Sequence, residues 1–206
     1  GRITSDDIYD IINNQATEQM YNLAGVDDGA EEDDNIYQAG KTRGIWLGVN
    51  LITAILASLA IAFFEDTLQN LDALAILMPI VASMGGNAGT QSLTVVVRQL
   101  ALGDISSKDA KRIIKKEVLI SLGNGLIFAV IMGVIASLWF NIHLLGTVIA
   151  LSMIINLLSA GFFGAVVPFV LKKLNVDPAI GSAVVLTTIT DIVGFISFLG
   201  LATLIL

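Results

Sequence analysis

The sequence predicts an all-α integral membrane domain with five transmembrane helices. Of the 206 residues, 55% are hydrophobic and 14% are charged, whereas a soluble domain of this size carries about 25% charged residues. Five apolar segments are each long enough, at about 1.5 Å of rise per residue, to cross the ~30 Å core of a bilayer. Because lipid offers no hydrogen bonds to the backbone, helices are the natural form for them, and the alternation typical of barrel strands is absent.

Acidic residues dominate the first 42 positions, which contain ten Asp or Glu and two Lys or Arg. Thr4 or Ser5 can cap a helix there, and Gly25 is a typical helix stop. The segment 27–34 then indicates a charged linker. We expect this polar section, residues 1–42, to be followed by a membrane domain, residues 43–206, and the chain to be part of a longer protein.

Five apolar spans make up the membrane domain. The second, fourth and fifth are longer than a bilayer requires, so tilting or interruption is expected. An odd number of spans cannot divide into two equal inverted repeats, the usual plan of a secondary transporter, and a central path is easier to build from two copies. The approximate bounds are 44–64, 71–102, 118–140, 144–171 and 179–206.

Basic residues mark one side of the membrane. Lys41 and Arg43 precede the first span, and five Lys or Arg occupy residues 108–116 between the second and third spans. Lys172 and Lys173 follow the fourth span, while the other two loops contain neither residue type. The positive-inside rule therefore predicts a multi-pass protein of the cell (plasma or inner) membrane, with its N-terminus in the cytoplasm and its C-terminus outside.

The chemistry available to the chain is limited. It has no cysteine and one histidine, His143, which excludes disulfides, thiolate metal sites and HExxH zinc chemistry within it. No nucleophile–base pair stands out, so we expect no enzyme. A nucleic-acid partner is not expected either.

One aspartate stands in the fifth span without an ionisable neighbour between Asp177 and the C-terminus. Asp191 shares a helix face with Thr187 and Thr188 and lies about 18 Å along the axis from the start of the span. A charge near mid-membrane costs roughly 2.5–3.5 kcal/mol. The only cation within a span, Arg98, is expected near the cytoplasmic surface, so a watery path or bound cation is favoured over a protonated or salt-bridged Asp191.

A polar stripe runs along the second span, within an arc of about 100°. We expect it to face a water-filled cavity or another polar helix, and the GGNAG segment at 85–89 to loosen or break the helix. Helix packing is an alternative for the glycines but explains the polar side chains less well. The opposite side is expected to carry Ala88, Val95, Val96 and Leu100. The stripe consists of Ser83, Asn87, Thr90, Gln91, Thr94 and Arg98.

Other polar residues in the spans are interpreted as helix-packing groups. Ser152, Asn156 and Ser159 share one face of the fourth span, where hydrogen bonds between helices are favoured over a role in a path. Asn124 in the third span and Asn50 in the first receive the same interpretation.

The segments PIVASMGGNAGTQS and VDPAIGS…TTITDIVGF resemble the membrane domain of the MgtE family of magnesium channels. The resemblance extends over the whole chain: GRITSDDIYDII is similar to the end of that family's second CBS domain, and QATEQMYNLAG to its connecting or plug helix. Ala183 and Val184 stand where the family often has a proline, which predicts a straighter start of the fifth helix. In the plug helix, Gln15 and Gln19 replace carboxylates found in some members.

The resemblance implies a homodimer in membrane lipid, with one pore at the subunit interface lined by the second and fifth spans of each copy. It also implies that Asp191 binds magnesium and that the backbone carbonyl of Thr187 helps to hold the hydrated ion. Asn87 and Gln91 match the polar motif of the second span, and Glu18 matches a regulatory acidic position.

The residue types suit this ion. Mg²⁺ takes oxygen ligands at about 2.0–2.1 Å and loses water reluctantly, so one aspartate with hydroxyls and amides fits a largely hydrated ion. We predict a magnesium channel or transporter; the alternatives are a proton- or sodium-coupled divalent cation transporter with Asp191 as titrating carrier, and a membrane anchor for cytosolic domains. The predicted metal residues are Asp191, Thr187, Asn87, Asp177 and Glu18, and the predicted pore-lining residues are Ser83, Gln91, Thr94 and Thr188.

Regulation by magnesium is predicted at the cytoplasmic surface. Glu18, Asp177 and Glu117 are expected near one water–membrane boundary, where Mg²⁺ between them would offset their repulsion and dock the plug helix beneath the pore. High internal Mg²⁺ would then favour a closed channel. The alternative is that all three are solvated surface carboxylates.

Overall fold

The part of the chain that the computed structural model describes is entirely helical. It comprises residues 11, 14, 17–18, 21–24, 36–179 and 181–206. The expectations for Thr4, Ser5, Gln15, Gln19, Gly25 and the linker 27–34 fall outside it. Within residues 36–206 there are six helices, and a 3₁₀ turn, Ser107–Asp109, separates the third from the fourth. The helices are α1 (Ile36–Ala62), α2 (Glu65–Asn70), α3 (Asp72–Ala101), α4 (Ala110–Phe140), α5 (His143–Lys173) and α6 (Ser182–Ile205).

Five of these helices, all except the short α2, are long and apolar enough to cross a membrane. The predicted all-α class with five spans is thereby confirmed in the described part of the chain. Two helices begin earlier than their apolar stretches, α1 at Ile36 and α4 at Ala110, because a helix need not end where its hydrophobic residues end.

The expectation of a basic loop before the third span is wrong. Lys111, Arg112, Lys115 and Lys116 lie on the first turns of α4, since lysine and arginine are good helix formers. Just before α4, the Asp109 carboxylate accepts hydrogen bonds from the backbone N–H and the hydroxyl of Ser106, both at 3.0 Å.

The expectation that GGNAG breaks the second span is also wrong, because α3 is continuous through residues 85–89. The glycines instead allow close helix packing. A Cβ at Gly89 would lie 3.0 Å from Leu186 of α6, and a Cβ at Gly164 of α5 would lie 2.7 Å from the Gly89 carbonyl oxygen. For these glycines, the helix-packing alternative describes the structure.

Helix α5 is the centre of the bundle. It packs against α4, α3 and α6, while α1 contacts α6. Its buried side chains, such as Ile149, Met153 and Leu157, meet Leu77 of α3 and Phe198 of α6 in the main hydrophobic cluster, each at most 1% exposed. Helices α3 and α4 share few contacts, which leaves a space between them.

The connection from α5 to α6 ends in a sharp turn. Gly181, directly before α6, has φ 69°, a conformation that glycine adopts without strain. Upstream, Asp177 Oδ1 accepts the backbone N–H of Ala179 at 2.8 Å. The direction of α6 is therefore set at Gly181, one residue before Ser182, rather than by a proline within the helix.

Candidate functional site

All six members of the polar stripe are exposed on one face of α3. Leu93, Val96 and Val97, on the opposite face, are 0–3% exposed. The predicted reverse side is wrong in part, because Val95 is 43% exposed and Ala88 lines the same cavity as the stripe. These two residues lie four and three positions from Gln91, so helix geometry places them beside it.

A cavity of about 710 Å³ separates α3 from α4. Asn87, Gln91 and Thr94 line its α3 side, and Asn124 and Phe128 line its α4 side. Asn124, which the sequence suggested as a helix-packing residue, is therefore exposed in this space. The cavity brings three of the predicted site residues together.

Hydroxyl groups on α3 are bonded to their own helix. Thr90 donates to the Gly86 carbonyl and Thr94 to the Thr90 carbonyl, each at 2.8 Å. The side chains of Asn87 and Ser83 approach to 3.4 Å. Since each threonine proton is committed to the backbone, its oxygen presents lone pairs to the cavity, which suits water molecules or a cation.

The hydroxyl groups of α6 also donate to backbone carbonyls of their own helix. Thr187 Oγ1 donates to the carbonyls of Ala183 and Val184 at 3.0 and 3.1 Å, and Thr188 Oγ1 donates to Val184 at 2.7 Å. Half-buried Asp191 lies on the next turn and has no ion pair within the part of the chain that the structure describes.

The Thr187 carbonyl, implied as an ion-holding group, already has partners. It accepts the Thr190 hydroxyl at 3.0 Å, and in a regular helix it also accepts the N–H of Asp191. A carbonyl oxygen has two lone pairs, so Thr190 must turn away before this oxygen can face an ion or its water shell.

Thr187 lies beside the polar stripe but in a different cavity. A Cβ at Gly86, next to Asn87, would be 4.0 Å from the Thr187 methyl group, so α3 and α6 are direct neighbours here. Thr187 itself lines a cavity of about 180 Å³ with Asn22 and Asn50. Within one chain, the structure does not bring Thr187 into the α3–α4 cavity.

Two of the predicted regulatory carboxylates line one cavity. Glu18, in the helical segment before α1, and Asp177, before α6, border a space of about 270 Å³ together with Lys172. Sequence reasoning did not single out this lysine for the site. Its Nζ lies 3.5 Å from the Leu100 carbonyl oxygen, which connects the ends of α5 and α3.

The third carboxylate does not line this cavity, and the alternative of a solvated surface position is wrong for it. Glu117 is 6% exposed and accepts the Ser92 hydroxyl at 2.8 Å. It is buried because this turn of α4 packs against Ser92 of α3 and against Gly161 of α5, where a Cβ would lie 3.0 Å from the Glu117 carbonyl oxygen. Glu117 borders a cavity of about 240 Å³ that also includes Gln91 and Asn124. Its separation from Ser92 along the chain left no sequence signal for this pair.

Comparison with known families matches residues 78–201 to MgtE, described as a divalent cation transporter. The chain belongs to the MgtE family. The matched region takes in the stripe of α3 and Asp191 of α6, while Glu18 lies outside it. MgtE membership and five apolar helices together indicate a multi-pass membrane protein.

Three relatives are each named "Magnesium transporter MgtE". The protein from Bacillus subtilis (strain 168) is 36% identical over 203 residues, covering 98% of this chain and 45% of the relative. The Thermus thermophilus protein is 32% identical, covering 100% and 46%, and the Enterococcus faecalis protein is 31% identical, covering 99% and 45%. The chain thus spans somewhat less than half the length of these MgtE proteins.

Proposed function

We propose that the chain is the membrane domain of a magnesium channel or transporter, and that it passes largely hydrated Mg²⁺ through a pore between two copies. The observation that carries this proposal is the polar face of α3, whose six stripe residues are all exposed on a membrane-spanning helix. Lipid is a poor environment for such a surface. Pairing two chains so that α3 and α6 line a common path would cover it.

The ion chemistry supports the same arrangement. Two-fold symmetry places two Asp191 carboxylates around one path, with threonine oxygens one turn away whose protons are bonded to the backbone. Such groups accept hydrogen bonds from the water shell of Mg²⁺, which the ion gives up reluctantly. Binding through water is weak enough to release the ion again.

The distribution of charged residues suggests how the helices are oriented in the membrane and where the proposed pore is gated. Basic residues at the start of α4 and the end of α5 support a cytoplasmic location for these ends and an outside location for the C-terminus. Residues 1–42 would then be the end of a cytosolic CBS domain, a plug helix and a linker. Glu18 and Asp177 border one cavity, so Mg²⁺ bound there would hold the plug helix beneath the pore and close it.

Replacement of Asp191 tests this function. We expect Asp191→Asn to abolish Mg²⁺ uptake into proteoliposomes while the protein still elutes as a folded oligomer, because removal of a charge at membrane depth does not hinder insertion. Asp66→Asn, at an exposed position on α2, is the control and should transport normally. Uptake by Asp191→Asn equal to that of the parent would refute the pore assignment. If a pH gradient at fixed voltage changes the flux, coupled transport is the correct mechanism.

A further inference from the structure

An asparagine of the central helix lies between the two helices that carry the proposed site. Asn156 of α5 is fully buried, and its Nδ2 donates to the Val81 carbonyl oxygen of α3 at 2.8 Å. The sequence predicted a hydrogen bond between helices at this residue, and the structure contains one. Ser152, one turn earlier on the same face, instead bonds to the Ile149 carbonyl of its own helix at 2.9 Å.

Two glycines make room for this amide, one on each neighbouring helix. A Cβ at Gly194 of α6 would lie 2.8 Å from Asn156 Nδ2, and a Cβ at Gly85 of α3 would overlap the same amide. Gly194 follows Asp191 by about one turn, and Gly85 lies two residues before Asn87. The amide is thus enclosed between the parts of α3 and α6 that carry the proposed ion-binding groups.

The orientation of the amide is fixed at an energetic cost. Asn156 Oδ1 is buried without a hydrogen-bond partner among the described residues. Turning the amide over would place this oxygen against the Val81 carbonyl oxygen, so the bond to Val81 determines the orientation. An apolar side chain of similar size would fill the space without leaving a buried acceptor unpaired.

We propose that Asn156 is a positioning residue that sets the spacing of α3 and α6 through the Gly85 and Gly194 contacts, so that Asn87 and Asp191 face the ion path at a fixed separation. The inference rests on the proposed function for its effect on transport. Its structural part, the spacing of two helices, does not depend on transport and can be measured separately.

A disulfide provides that separate measurement. The chain has no cysteine, and Gly86 and Thr187 are close enough for a pair of introduced cysteines to meet. In Gly86→Cys/Thr187→Cys protein, we expect Asn156→Leu to slow oxidative cross-linking about threefold to tenfold, the loss that one net hydrogen bond represents. Ser152→Ala is the matched control and should cross-link at the parent rate.

The transport measurement uses the chain with native Gly86 and Thr187 in proteoliposomes. We expect Asn156→Leu to raise the apparent KM for Mg²⁺ by a similar factor, and Ser152→Ala to leave it unchanged. Unchanged cross-linking and KM in Asn156→Leu would overturn the proposal. If Asp191→Asn transports normally while cross-linking still depends on Asn156, the proposed function fails and the helix spacing role stands.

A double variant separates hydrogen bonding from space filling, and it also serves if Asn156→Leu does not fold. Gly85→Ala/Asn156→Ala replaces the amide by two methyl groups and removes the clash. We expect it to fold but to keep the slow cross-linking and raised KM, because no donor reaches the Val81 carbonyl. Recovery of both parental values would show that Asn156 only fills space and would overturn the inference.

Discussion

The two long faces of α3 both carry polar groups, but in different surroundings. On one face, Asn87, Gln91 and Thr94 line an open cavity. On the other, Ser92 is bonded to Glu117, and the Val81 carbonyl accepts Asn156. A polar group bonded to a neighbouring helix serves packing, whereas the stripe is bonded only within α3 in the described residues and its remaining lone pairs can take water, an ion or groups of a second copy. Whether a polar group has a partner on a neighbouring helix therefore distinguishes an ion path from a helix interface more clearly than polarity alone does.

Thiol labelling tests the comparison most directly, with a nearly all-or-none difference expected. Single cysteines at Asn87 and Gln91, and also at Val95, should react with an aqueous thiol reagent because these positions line the cavity. Cysteines at the buried positions Leu93 and Val96 should not react. Equal labelling of the two groups would mean that α3 has no dry face, and no labelling at Asn87 and Gln91 would mean that the stripe is not in contact with water.

Overpacking the closed face should have the next largest effect. Gly164→Val inserts a side chain where a Cβ alone would lie 2.7 Å from the Gly89 carbonyl oxygen, and backbone atoms cannot move aside easily. We expect a loss of about 1–3 kcal/mol in unfolding free energy, seen as a lower unfolding temperature in detergent. Gly123→Val on α4, with nothing within 4 Å of its Cβ position, is the control. Equal stability of the two variants would contradict the packing described for α3.

The buried carboxylate should be the next most sensitive position. Glu117→Ala leaves Ser92 without its acceptor and opens a gap, so we expect a loss of about 1–3 kcal/mol in unfolding free energy. Glu117→Gln retains an acceptor oxygen and should lose less. Glu65→Ala, at an exposed site, should be neutral in the same unfolding measurement. A smaller loss for Glu117→Ala than for Glu117→Gln would argue against the bond to Ser92.

The smallest effect is expected before α4. Hydrogen bonds from the Ser106 backbone N–H and hydroxyl, followed by the nearby Arg112, lower the pKa of Asp109 below its usual range. A lowered folded-state pKa stabilises the protein above the unfolded value of about 3.9, and this contribution disappears as pH falls through the folded value. The difference in unfolding temperature between the parent and Asp109→Asn should therefore shrink from about pH 6 to about pH 3. A constant difference would show that ionisation of Asp109 is not involved.

The number of long apolar helices and the exposed face of α3 could be predicted because both depend on local sequence patterns. The contacts across the bundle could not: Asn156 meets Val81 and Glu117 meets Ser92 through packing of distant segments. The role of the glycines was ambiguous in the sequence, since close packing and helix breaking use the same residue. The early start of α4 was missed because hydrophobicity marks the membrane core and not the end of a helix.

The few contacts between α3 and α4 have a mechanical consequence. The two helices are consecutive in the chain, yet both pack mainly against α5 and hardly against each other. A displacement of the basic start of α4 would thus pass to α3 through the connecting residues 102–109 and through α5, whose Lys172 reaches the last turn of α3. Force applied at that end of the bundle would therefore reach the lining of the cavity through α5 and residues 102–109, because direct packing between α3 and α4 is sparse.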